Sequence, residues 1–162
     1  MFQLKPLHKD AIHAALAKAE RYRLLNEPEE AESICLDVLE VDPDNQEARI
    51  SLLLSLTDQF GGDSHAYNRA REVVASLASE YDRAYYGGIC AERRAKAQFA
   101  RHSHGTYEWI VEAMQSYERA EAIRPPGNDD ALLRWNACVR FLNRYQQLKP
   151  GSQERTEIEM LE

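Results

Sequence analysis

Residues 29–45 read EEAESICLDVLEVDPDN. Ala31, Ile34, Cys35, Val38 and Leu39 recur at i, i+3, i+4, i+7 and i+8, the apolar stripe of an amphipathic helix. Pro28 stands just ahead of it, suited to a first helical position, and Glu29 and Glu30 fall where the positive end of the helix favours acid. Pro43 disfavours helix at Asp42 and closes the segment. A helix of this length with a single stripe cannot bury itself, so its neighbours decide the fold.

Upstream, the spacing predicts a helix from Pro6 to Leu25, with Ile12, Ala15, Ala19 and Tyr22 on one face. Downstream, ISLLLSLTDQF (residues 50–60) predicts a third. Leu52, Leu53, Leu56 and Phe60 form its stripe, but Ile50 and Leu54 point elsewhere, so this helix has a second apolar face that needs cover. GGDSH (61–65) ends it and offers Asp63 or Ser64 as the next cap. A fourth helix carries Ala70, Val73, Val74 and Leu77. A fifth carries Ala84, Gly88, Ala91, Ala95 and Phe99, and a sixth Ile110, Ala113, Met114, Tyr117 and Ala120. After RPPGNDD (124–130), with Asn128 as an expected cap, a seventh presents Leu132, Trp135, Val139, Leu142 and Tyr145. No segment sustains strand alternation, so the fold class is all-α, with a domain over 1–149 and an acidic tail over 150–162.

Helices alternating with short breaks invite a test for an internal period. With Pro43 near the end of a unit, Tyr22 and Ala19 fall on the aromatic and small positions of a first helix, and Ala31, Cys35 and Val38 on the packing positions of a second. AMQSYERAEAIRPPGN (113–128) repeats the second-helix pattern with Ala113, Tyr117, Ala120 and Pro125. The middle unit fits through Ala70, Val74 and Leu77 only after an insertion near GGDSHAY, and Asp82 stands where proline is expected. Over residues 11–145 the chain thus resembles the tetratricopeptide repeat, whose unit is about 34 residues. The resemblance implies a right-handed superhelical solenoid of about three helix-turn-helix repeats plus a C-terminal capping helix. Gly87 and Gly88 each cost about 1 kcal/mol inside a helix relative to alanine. Close helix approach would offset that cost, and a local kink is the other reading.

Composition narrows the function. The chain is 44% apolar and 29% charged, so it should fold, and its net charge of −7 argues against nucleic acid or an anionic membrane as main partner. No run approaches the about 18 apolar residues of a membrane span, and a reducing cytoplasm is the expected setting. Cys35, Cys90 and Cys138 form no CxxC and read as buried thiols. His102 and His104 lack a neighbouring Cys, Asp or Glu to complete a metal site, and no nucleophile elbow or phosphate loop occurs. No cofactor, metal or enzymatic activity is expected.

The resemblance also implies a concave groove lined by first helices. Leu16, Ile50, Leu54, Tyr85, Tyr86, Ile89 and Phe141 map to it, with Leu24, and Arg23, Arg93, Arg134 and Arg140 lie among or beside them. The family's clamp for acidic chaperone tails is absent, because Leu16, Glu20 and Ser51 occupy its first- and second-repeat positions and no cation occupies the third. The expected function is a scaffold or adaptor that holds a protein or peptide, through apolar groups and at least one acid. The alternative is a small acidic chaperone for secreted or membrane-bound subunits, a match in size and charge only. Ile158 and Leu161 would let residues 152–162 dock into a groove of the same chain or of a second copy, giving self-inhibition or a homodimer. A frayed acidic tail is the other reading.

Overall fold

A computed structural model describes residues 1–150, so the tail and its docking lie outside the described residues. Within them, seven α-helices follow one another and no strand occurs: α1 (Ile12–Leu24), α2 (Pro28–Val41), α3 (Gln46–Thr57), α4 (Ala66–Ala75), α5 (Glu80–Ala100), α6 (Thr106–Ala122) and α7 (Asp130–Arg144). Each packs on the next, while α1 also touches α3 and α3 touches α5.

Local chemistry sets the helix ends. Pro28 opens α2 with Glu29 and Glu30 in its first turn. Asn45 caps α3 by accepting from the Ala48 N–H at 2.8 Å, and Ser79 caps α5 through Asp82 N–H at 3.2 Å. Asn26 takes the left-handed conformation (φ 59°) that ends α1. Three expectations shift. The first helix starts later than Pro6: a 3₁₀ turn at Lys9–Ala11 precedes α1. Asn128 accepts from the Asp130 N–H at 2.9 Å although Asp129 occupies the N-cap. Asp63 accepts from the His65 N–H at 2.8 Å, one residue before α4 begins.

Two apolar clusters meet in the middle of the stack. One gathers Ala19, Cys35, Leu52, Leu53, Leu56, Ala70 and Cys90; the other gathers Ala91, Ala95, Ile110, Ala113, Tyr117 and Cys138. Half-buried Leu54 and Tyr86 pack against both. The second apolar face of α3 is therefore covered largely by neighbouring helices, with Ile50 set against the first cluster.

Gly88 explains the glycines of α5. A methyl group there would sit 2.5 Å from Cε1 of Tyr117 on α6, so the ring occupies the space of the missing side chain. Close approach, the first of the two readings, is what Gly88 serves. Gly87 meets only Val74 Cγ1, at 3.9 Å.

Candidate functional site

The odd-numbered helices wall one concavity of about 500 Å³. Arg23 enters from α1, Thr57 and Asp58 from the end of α3, Arg93, Lys96 and Ala97 from α5, and Arg134 from α7. On α5, residues 93, 96 and 97 share a face because helical neighbours lie three and four apart. Phe60 and Ala97 supply its apolar part.

Two carboxylates organise the cations. Asp58 accepts from Arg23 Nε at 2.7 Å and from Arg93 Nη1 at 3.3 Å. Glu92, only 1% exposed, accepts from the Tyr117 hydroxyl at 2.6 Å and from Lys96 Nζ at 2.5 Å, with Arg134 Nη1 3.5 Å away. Removing a carboxylate from water costs several kcal/mol unless it is paired and hydrogen-bonded, and these three groups meet that demand. Burial and the facing Glu92 carboxylate hold the Tyr117 hydroxyl proton far above the ordinary phenol range. For Arg134, burial opposes its charge, but Glu92, Tyr117 and Tyr85 together raise its pKa.

The exposures are unequal. The side chains of Arg93, Lys96 and Arg134 are 38%, 44% and 37% accessible, against 19% for Asp58 and 1% for Glu92. Four cations stand over two carboxylates; Arg93, Lys96 and Arg134 carry most of the accessible surface, while Arg23, at 20%, is no more accessible than Asp58. An acidic protein thus presents a locally positive hollow.

The residues assigned to a groove from sequence are dispersed in the structure. Arg23, Arg93 and Arg134 line the hollow. Leu16 is a correction: it is 4% exposed and packed with Val38 and Ala48. Ile89 is a second, at 2% exposed inside the α5–α6 cluster. Both sit on faces that close helix packing buries, so neither offers groove surface. Tyr85 is half-buried and packs edge-on to Tyr86 and obliquely to Tyr117. Phe141 packs edge-on to Phe99 and obliquely to Tyr145, and Arg140 is exposed; neither lines the hollow. Leu24 is 82% exposed and also lies outside it.

No protein-family model and no curated protein matches the chain. Asp58 and Lys96 were the residues missed. Lys96 carried a signal, the i, i+4 spacing to Glu92. Asp58 carried none, since its partners lie 35 residues away on either side.

The other chemistry-bearing groups stand apart. Burial pushes the thiols of Cys35, Cys90 and Cys138 up, to about 11, 12 and 12, which keeps them protonated and unreactive at neutral pH. His102 and His104 are exposed in the α5–α6 connection, and no three metal-ligating side chains come together among the described residues. No helix among them is long and apolar enough to cross a membrane.

Proposed function

We propose that the chain is a tetratricopeptide-like interaction module that holds a segment of a partner protein against the hollow walled by α1, α3, α5 and α7. The observation that carries this reading is the inequality of exposure: three accessible cations over buried or half-buried carboxylates. Arginine suits carboxylate recognition because its planar fork makes paired hydrogen bonds. Phe60 and Ala97 add apolar surface, so the preferred segment combines an acidic residue with an apolar anchor. Net charge alone would favour a basic ligand. At contact range the local cations outweigh it, because salt screens charges beyond about 8 Å.

Contacts between alternate helices, α1 with α3 and α3 with α5, support the solenoid reading. The cations stand at positions other than those of the family's chaperone-tail clamp, so the module would read a different segment.

The test is peptide display against the intact chain and against an Arg93→Gln/Arg134→Gln double variant whose helical content by circular dichroism matches the parent's. The parent should enrich peptides that pair acidic with apolar residues, and the variant should lose them. Equal enrichment by both proteins would remove the hollow from the function.

A further inference from the structure

Arg94 follows Arg93 on α5, and one residue of helical rotation turns it away from the hollow toward α4 and α6. Its Cζ lies 4.0 Å from the ring centroid of Tyr67 on α4 and 4.6 Å from that of Trp109 on α6. These rings meet edge to face at 73°, with centroids 5.5 Å apart, so the guanidinium is held in a corner between them. Such contacts fix its orientation, and Arg94 Nε, buried in the corner, has no hydrogen-bond partner among the described residues.

That corner contains polar atoms without partners. Arg94 Nε, Gln98 Oε1 and Thr106 Oγ1 are buried and lack a hydrogen-bond partner among the described residues. Arg94 and Gln98 line the same cavity. Gln98 is one turn beyond Arg94, and a methyl group at Gly105, next to Thr106, would lie 3.3 Å from Gln98 Oε1 and 3.7 Å from Trp109 Cδ1. Buried polar groups are ordinarily satisfied, so exceptions that cluster ask for a ligand. That cavity, of about 220 Å³, is walled by Phe60, Asp63, Ser64, Tyr67, Gln98 and Arg101. The acid in that wall is already engaged: Asp63 accepts from the His65 N–H at 2.8 Å and faces Arg69 at 3.9 Å. Arg101 donates to the Gly61 carbonyl and adds positive charge at the rim.

We propose that this cavity binds a carboxylate with an amide N–H on the same residue, the chemistry shared by a peptide C-terminus and an N-acyl amino acid. The carboxylate accepts from the Arg94 edge, where two ionic hydrogen bonds can form side by side. The neighbouring N–H donates to Gln98 Oε1, once the amide turns from its buried position toward the cavity. Phe60 and Tyr67 provide an apolar wall for the terminal side chain. A simple anion would answer Arg94 but leave the Gln98 oxygen unmet, which is why the N–H belongs to the ligand class. This site differs from the hollow in all its polar groups, while the two share the apolar residues Phe60 and Ala97.

The test uses the intact ¹⁵N-labelled chain and follows the Trp109 indole and Arg94 Nε–H resonances. The probes are N-acetyl-leucine, its amide, acetate, and a leucine-terminated pentapeptide as free acid and as amide. Saturable shifts are expected with both free acids, and binding at least about tenfold weaker with acetate and with both amides. Tighter binding of the pentapeptide acid points to a chain terminus, and equal binding of the two acids points to a small N-acyl acid. Arg94→Lys keeps the charge but loses the fork and should weaken both acids at least about tenfold. Because that change also touches the aromatic packing, Gln98→Leu serves as the second variant; it should weaken N-acetyl-leucine but not acetate. The proposal fails if no probe saturates by about 10 mM, if acid and amide peptides bind alike, or if Gln98→Leu leaves N-acetyl-leucine binding unchanged.

Discussion

At the scale of single residues, Tyr117 joins the core to the charged site. Its ring is fully buried in the contact of α5 with α6, and its hydroxyl is one of the groups that make Glu92 tolerable in the interior. Tyr117→Ala should therefore cost about 3–5 kcal/mol, from lost packing and the cavity left behind. Thermal or urea melts measure this, and a loss below about 1 kcal/mol would mean that the ring packs otherwise. Burial of Tyr117 was legible in the sequence, because an aromatic at helical spacing between Ala113 and Ala120 has few other uses. Its hydrogen bond was not. Glu92 could be named as a partner for nearby arginines, but a pattern of charges does not say which carboxylate the helix stack will bury. The inward placement of Leu16 and Ile89 was missed for a related reason. Both lie on first-type helices, and only the packing angle decides whether such a position faces the groove or the neighbour.

At the scale of elements, α5 carries two adjacent glycines with opposite predicted responses. Alanine is favoured over glycine by about 1 kcal/mol inside a helix. At Gly87 the added methyl meets ordinary contact distance, so Gly87→Ala should stabilise by up to about 1 kcal/mol. At Gly88 the same methyl falls 2.5 Å from the Tyr117 ring, which Glu92 and the core hold in place. Overpacking of that kind typically costs about 1–3 kcal/mol and should outweigh the gain in propensity. Denaturant midpoints of the two variants measured side by side decide the matter. Stabilisation of both would show that α5 and α6 can separate freely. The pair also marks how far local reading reaches. That glycine served close approach was one of two readings open in the sequence, and the particular neighbour required coordinates. Helix existence followed from periodicity and from Pro28 and Pro43. Ends set by backbone geometry alone, such as the start of α1, did not.

At the scale of the whole molecule, the acidic chain and its positive hollow are reconciled by burial. Formal charge counts Glu92 and Lys96 equally, whereas solvent meets mainly the lysine. Sequence can place arginines on one side of a helical stack, as it did for Arg23, Arg93 and Arg134, but not the sign of the surface they make. That buried pairing has a consequence for pH. Burial and Glu92 keep Tyr117 protonated when folded, whereas in the unfolded chain its phenol ionises near 10. Burial likewise raises Tyr86, to about 12. A group whose folded pKa is raised contributes stability that is complete below the unfolded value and is lost as pH climbs beyond it. Stability should thus begin to fall near pH 9, where the three buried thiols would ionise in the unfolded chain, and fall more steeply above pH about 10 as the phenols join, with each such group contributing a slope near 1.4 kcal/mol per pH unit. Tyr117→Phe removes one of these protons together with the hydrogen bond to Glu92. At neutral pH the variant should be less stable by roughly 1.5–3 kcal/mol, the usual worth of a hydrogen bond to a charged group. Above pH about 10 the difference should shrink, because only the parent is still losing the contribution of Tyr117. Urea midpoints of parent and variant from neutral to alkaline pH test the sign directly. A constant gap would mean that the phenol ionises alike in both states.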